Sequence, residues 1–260
     1  MPSAFWSELT IPHGRAVRIR LGPLVVTVAR LENEWRVTRE VLQGNDSDVL
    51  IQENVVIEEP APKANVTRYA TASKTERFRI VPVLPDRSVL TRPDHPISIL
   101  PRTEVRLYVG SPLWIRLLQG ADDPLGELPA SPPKEAWVGS STGGGELCYA
   151  TRTYGRLRLD DMALRPHRVM TSVAINNGSG EPFVCDHVSL PVRRLSVFAS
   201  SEGRLWTEPI SLDRSADEEF AKLDVSSGPP EEAHGATLLS GPRDESQRGG
   251  RFRAFAALFE

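Results

Sequence analysis

The sequence has little lysine, little cysteine and no long apolar run, and each shortage excludes something. Lysine occurs only at Lys63, Lys74, Lys134 and Lys222, so the cationic side is arginine. The formal net charge of -3 gives no overall attraction to nucleic acid or anionic lipid, and no nucleic-acid partner is expected. So uniform an arginine bias reads as the codon usage of a GC-rich genome before it reads as a guanidinium-specific task. Two cysteines, Cys148 and Cys185, are too few for a disulfide framework. No apolar stretch approaches the ~20 residues that span a bilayer. The start, Met1-Pro2-Ser3-Ala4-Phe5-Trp6-Ser7, has neither the basic lead nor the apolar core of a signal peptide. These absences predict a cytoplasmic protein with reduced thiols and no transmembrane segment.

Helical periodicity is missing too. No span sustains an apolar pattern at helical spacing, and Asp160–Leu164 and Ser215–Leu223 are the only short helix candidates. The catalytic signatures G-x-S-x-G and H-E-x-x-H do not occur, nor does a dinucleotide fingerprint. Carboxylate pairs such as Glu58-Glu59 and Asp122-Asp123 are adjacent, so on a strand they face opposite ways and do not converge. No catalytic residue and no cofactor is expected.

What the chain does have is alternation. Val17, Ile19 and Leu21 oppose Arg18 and Arg20, as a half-buried strand requires. Gly22-Pro23 turns the chain, Leu24–Leu31 runs back, and Trp35–Val41 returns after Glu32-Asn33-Glu34. Val49–Ile57, Val66–Thr71 and Phe78–Leu84 continue the series; Pro82 predicts that the last of these is an edge or ends there. Glu104–Leu118 is strongly apolar and broken at Ser111-Pro112. Asn176-Asn177-Gly178-Ser179-Gly180 is the clearest turn signal, with residues that tolerate positive φ, and predicts that Phe183–Leu190 pairs back on Val169–Ile175. Ser200-Ser201-Glu202-Gly203 predicts another hairpin, between Arg194–Ala199 and Leu205–Leu212.

The expected fold is all-β, an antiparallel β-sandwich architecture with two β lobes and very little helix. Residues 1–118 form the N-terminal lobe, the Pro/Gly/Asp-rich 119–134 a connection, and 135–260 the C-terminal lobe. Within the latter, 213–250 reads as a loosely packed acidic excursion and 251–259 as a closing strand.

Three constellations carry candidate chemistry. Gly143-Gly144-Gly145 suggests a phosphate loop, but no lysine follows, Glu146 is negative, and Leu147-Cys148-Tyr149 reads as a strand; a hairpin tip fits better. Cys185 and His187 stand two apart, on one face of a strand, and with Cys148 from a neighbouring strand could converge on a metal or form a thiol–imidazole pair. Packing is the alternative for both thiols. Arg152, Arg156 and Arg158 repeat along one stretch, and with Tyr149 and Tyr154 could bind an anion or an acidic protein surface. An ordinary solvated sheet face, with Arg18, Arg20, Arg193 and Arg194 on others, is the alternative.

The order Trp137-Val138-Gly139-Ser140, a glycine turn, Glu146-Leu147-Cys148-Tyr149-Ala150, then Val169–Asn177 with Gly178, Phe183–Val192 and Leu195–Ala199 resembles the uncharacterised archaeal and bacterial domain-of-unknown-function family 432. There a Tyr-Gly-Ser strand, a glycine turn and an Ile-Cys-Arg-Tyr strand precede a strand, an Asn-rich turn and a Pro-Val strand. Lys63–Tyr69 is similar to that family's Pro-…-Thr-Arg-Tyr segment. The resemblance covers residues 10–212 and the last strand, and the long acidic insert departs from it. It implies a fold rather than an activity. The occurrence of members beside mechanosensitive-channel genes implies a regulatory or adaptor role near a membrane.

The residues support a non-enzymatic module that binds a protein partner or an anionic ligand. A hydrolase or carbohydrate-active enzyme with a dispersed active site, and a structural component of a larger assembly, are the alternatives.

Overall fold

Alternation in the opening residues builds the meander it predicts. Arg15–Leu21 pairs with Leu24–Arg30 from Arg15↔Arg30 to Leu21↔Leu24 without a shift, and Gly22 takes φ 57° in the turn between them. Glu34–Val41 pairs back on Leu24–Arg30. A computed structural model describes residues 3–43, 47–61, 64–138, 145–214, 222–245 and 250–253, with backbone alone at 3–4, 152–154 and 250–253. Strands take 56% of the chain and short helical turns 5%, so the fold is all-β. Among the described residues no helix is long and apolar enough to cross a membrane.

The first sheet has five strands, in the order Val49–Val56, Arg15–Leu21, Leu24–Arg30, Glu34–Val41, Asn65–Ala70. A four-stranded sheet runs Glu8–Thr10, Arg77–Val83, Trp114–Gln119, Asp123–Pro129. Pro82 fits inside it because Glu8–Thr10 reaches only Arg77–Arg79, leaving Pro82 with a strand neighbour on one side, Ile115. Another four-stranded sheet runs Lys134–Val138, Glu146–Gly155, Val89–Pro93, Val188–Leu190. The largest, of eight strands, is centred on Arg168–Asn177. That strand pairs over ten residues with Thr103–Pro112 on one side. On the other it meets Leu205–Trp206 and Ile210–Arg214, both parallel.

Arg168–Asn177 is buried on both faces. One face joins the main core through Val169, Val173 and Ile175, a cluster continuous from Phe5 to Val225. The other carries Met170 into a small cluster with Tyr108, Phe198, Trp206 and Ala233. Near Ala233 the Tyr108 hydroxyl donates to Glu232 Oε1 at 2.6 Å, and Arg106 Nη1 donates to the same oxygen at 3.0 Å.

Several expectations need correction. Phe183–Leu190 does not pair back on Val169–Ile175. It splits at Asp186-His187: Phe183–Cys185 pairs with Ile97–Ile99, and Val188–Leu190 with Val89–Thr91. The place beside Val169–Ile175 belongs to Thr103–Pro112, whose ten-residue apolar register buries more than a short hairpin would. Three parallel pairings also interrupt the antiparallel pattern, among them Tyr149↔Val89 to Thr151↔Thr91. The hairpin about 200–203 forms in a shorter version than expected, with Phe198↔Trp206 and Ala199↔Leu205; Ile210–Arg214 pairs instead with Arg168–Asn177 and Lys222–Val225.

The stretch 119–134 holds the strand Asp123–Pro129, and sheet pairing joins the segments on either side of it. The acidic stretch is not loosely packed where it is described. Leu223, Val225 and Ala233 are buried, because Lys222–Val225 joins the large sheet and Thr237–Ser240 pairs with Val197–Ala199. Two of its charged residues are paired with the rest of the chain: Asp244 takes a two-point bond from Arg193, and Arg243 reaches Glu127. Of the closing strand, Gly250–Arg253 pairs with Lys222–Val225; 254–259 lies outside the described residues, as does 215–221 of the second helix candidate. At the first candidate, Leu159–Asp161 makes a single 3-10 turn.

Burial alone would raise the pKa of Glu127 and of Glu232. Arg243 and Arg116 around the first, and Tyr108 and Arg106 around the second, outweigh burial and hold both below the ordinary glutamate range. A carboxylate with a depressed folded pKa stabilises the fold above its unfolded value of about 4.3 and loses that contribution as pH falls through the folded value. The melting temperature should therefore stay level from neutral pH to about 5 and drop steeply below about 4. Glu127→Gln should flatten that acid limb, measured by calorimetry across pH.

Candidate functional site

Lys134–Val138 and Glu146–Gly155 pair as a hairpin, from Lys134↔Ala150 to Val138↔Glu146 without a shift. The tip expected at 139–144 lies outside the described residues; the strands before and after it keep an unbroken register. Gly145 has a packing reason to lack a side chain: a Cβ there would lie 2.1 Å from Trp137 Nε1. The indole lies against that backbone.

Cross-strand pairing puts Glu135 opposite Tyr149 and Trp137 opposite Leu147, so all four share one face. At the inner end this face packs on the body. Tyr149 is buried, tilted against Trp114 at 5.9 Å between ring centroids, with the Arg87 guanidinium 5.4 Å from its ring. Its hydroxyl donates to Asp86 Oδ1 at 3.0 Å. Burial first, and then Asp86, push the phenol above its ordinary range, so it remains a donor. Arg87 Nη1 donates to Glu135 Oε1 at 2.6 Å, and Ser88 Oγ to Glu146 Oε1 at 3.0 Å. Two residues further out the body ends. Trp137 is 56% exposed and Leu147 38%. Among the described residues Trp137 is the one aromatic this exposed.

Lys134–Val138 is also the last strand of its sheet, so the outer row of its N–H and C=O groups has no strand neighbour among the described residues. Several other edges are blunted. Val49–Val56 has a register shift near Ala16/Arg18 and Asn54 at φ 56°. Asp123–Pro129 carries a bulge and two prolines, and Glu8–Thr10 and Val188–Leu190 are three residues long. Asn65–Ala70 is regular but presents no exposed large apolar side chain.

Of the arginine–tyrosine set, the described side chains Arg156, Arg158 and Tyr149 do not converge. The side chains of Arg152 and Tyr154 lie outside the description. Arg156 donates to Asp94 at 2.7 Å, Arg158 stands 3.6 Å from Asp160, and Tyr149 is turned into the core. Their charge is spent on neighbouring carboxylates, as it is at Arg18 with Glu40, Arg20 with Asp48 and Arg193 with Asp244.

The thiol set does not converge either. Cys185 ends its strand, so His187 falls past the region where alternate residues share a face. The Cys185 thiol donates to the His187 carbonyl oxygen at 3.7 Å, and the His187 ring meets Asp186 at 2.5 Å. Cys148 donates to the Ala136 carbonyl oxygen at 3.4 Å. Among the described residues no group of three or more His, Cys, Asp or Glu is placed to hold a metal ion. Burial, and then Asp186, push Cys185 up to about 11; burial, and then Glu146, push Cys148 up as well. Neither thiol is activated as a nucleophile.

Sequence reasoning passed over Trp137. Its signal was present: an aromatic in a short alternating run between Pro132-Pro133 and a glycine loop. Asp86, Arg87 and Glu135 gave no signal, because their association depends on Glu146–Gly155 lying parallel to Val89–Pro93.

A family model described as Protein of unknown function (DUF432) matches residues 5–260. No curated protein and no solved structure matches the chain.

Proposed function

Since the chain belongs to the family described as Protein of unknown function (DUF432), whose description carries no activity, we propose from its own surface that it is a non-enzymatic binding module. It docks an extended segment of a protein partner along the outer edge of Lys134–Val138, with Trp137 and Leu147 as apolar anchors, and it works in the cytoplasm. The observation that supports this is the coincidence of a regular, proline-free edge with an exposed cross-strand Trp–Leu pair. An added strand gains main-chain hydrogen bonds from such an edge, and its alternate side chains meet the exposed apolar pair. Lys134 at the inner end of the strand is exposed, whereas Glu135 is held by Arg87, so that end favours a partner segment with a carboxylate there. The short arginine–carboxylate pairs elsewhere leave little unbalanced charge to compete.

Tryptophan anchors typically cost ~2 kcal/mol or more when truncated, which is about 30-fold in affinity. The full chain should therefore capture from native lysate, at physiological salt, a protein that Trp137→Ser loses and that Leu50→Ser, on the bulged edge of the first sheet, retains. Mass spectrometry reads the capture. Equal recovery by wild type and Trp137→Ser, or no protein above background, overturns the reading.

A further inference from the structure

The edge strand Lys134–Val138 complements itself about a two-fold axis, which is what a symmetric contact between identical chains requires. It has five residues, with the small Ala136 at its centre. Antiparallel pairing of two copies about Ala136 sets Lys134 opposite Val138 and Glu135 opposite Trp137, twice each, and no like charges meet. A register about Glu135 would put two carboxylates face to face. One about Trp137 would overlap only residues 136–138.

On one face of the joined sheet, the indole of the second copy comes to the Glu135 carboxylate, which Arg87 Nη1 holds at 2.6 Å. That guanidinium already lies 5.4 Å from the Tyr149 ring, so it gains a second aromatic neighbour. The row reads Leu147 and Trp137, then Glu135 and Tyr149 of the second copy, and the two-fold repeats it in reverse. On the other face, Lys134 stands in line with Val138 and Glu146 of the second copy, because Val138 pairs with Glu146. Lys134 and Glu146 are both exposed. Two strand spacings, about 10 Å, separate them, a gap that an extended lysine and a glutamate bridge together. Given the docking edge proposed for this hairpin, we infer that its occupant is the same strand of a second copy, so that two four-stranded sheets join into one. The contact closes at two chains, since each edge is used up by the other. The overlap falls short of the ~1,200 Å² of a standard interface, so the dimer is weak and reversible.

Sedimentation velocity of the full chain over about two decades of concentration should show monomer passing to dimer and nothing larger. Lys134→Glu and Glu146→Lys should each weaken the dimer about ten-fold, since each meets a like charge twice. Mixed in equal amounts, the two variants should associate nearly as tightly as wild type, because in the mixed dimer both pairs are opposite in sign again. Mixing would not repair a folding defect in either variant. Trp137→Ser should lose about ten-fold or more, and Leu50→Ser nothing. A monomer throughout, a mixture no tighter than its components, or a Trp137→Ser chain that dimerises like wild type overturns the inference. Lysate capture that depends on Trp137 without self-association also overturns it, while leaving the docking edge intact. Self-association with no captured protein upholds it and removes a different protein as the partner.

Discussion

Replacing Asn177 with alanine should lower stability by about 3–5 kcal/mol, a drop of roughly 10 °C in melting temperature for a chain of this size. Asn177 is fully buried. Its Nδ2 donates to the carbonyl oxygens of Ile99 and Leu100 at 3.1 Å each and of Glu181 at 2.8 Å. Its Oδ1 accepts from the Ser179 backbone N–H at 3.2 Å and from its hydroxyl at 2.7 Å. One side chain thus holds the end of the Ile97–Ile99/Phe183–Cys185 pair where Ile99 stands opposite Phe183, and the turn that leads into it. Alanine strands these groups away from water, and each buried polar group left unpaired costs ~1–3 kcal/mol. Asn177→Asp should be no better than alanine, because an ionised carboxylate is an acceptor only and would face three carbonyl oxygens. Denaturant melts of the three proteins decide this; a loss under about 1 kcal/mol in Asn177→Ala would mean that the stranded groups find other partners.

The same residue shows what the sequence could and could not disclose. Asn176-Asn177-Gly178-Ser179-Gly180 announced a turn, and a turn is there. The reason inferred from it, backbone at positive φ, is not the one used: none of these residues has positive φ. The asparagine works through its amide, and Gly178 is small because a Cβ would come within 3.1 Å of the Arg214 carbonyl oxygen on a parallel neighbour. That neighbour lies far along the chain, and no local pattern names it. The first meander was legible because its partners are adjacent in sequence and alternation alone fixes the register. The pairing of Thr103–Pro112 with Arg168–Asn177 was not, since period two says which face is buried and nothing about which strand lies beside it.

The remaining residues divide along the same line. Trp137 could be seen in the sequence, but its exposure follows from the hairpin running past the body and from Lys134–Val138 closing its sheet. Arg243 sat in a stretch that looked merely acidic and mobile; its carboxylate partner is 116 residues earlier. The repeated arginines were the most visible feature and the least informative, because a long cation on a sheet face usually finds a carboxylate nearby, worth ~0–1 kcal/mol when exposed.

One arginine breaks that rule, and its loss should be as damaging as that of Asn177. Arg30 is 2% exposed and pairs with no carboxylate among the described residues. Its Nε donates to the Thr75 carbonyl oxygen at 3.2 Å, its Nη2 to Ser73 at 2.6 Å, and its Nη1 to Glu34 at 3.2 Å and to Leu31. The guanidinium lies 5.1 Å from the ring of Trp35, which is itself fully buried, stacked on Phe78 at 5.8 Å and hydrogen-bonded to Gln119 at 2.7 Å. Carbonyl dipoles and the indole face replace water around the cation, and the cation in turn ties the 71–75 stretch to the end of the Leu24–Arg30/Glu34–Val41 hairpin. Arg30→Met keeps most of the volume but strands four carbonyl oxygens, and should cost about 4 kcal/mol. Arg30→Lys keeps the charge yet brings three donors to one point, too compact to reach Thr75 and Glu34 together, and should recover less than half of that. Because Trp35 senses the guanidinium directly, its fluorescence should change in both variants under native conditions. If Arg30→Lys melts like wild type, the charge rather than the planar fork holds this corner; if Arg30→Met does so too, the carbonyls are satisfied without it.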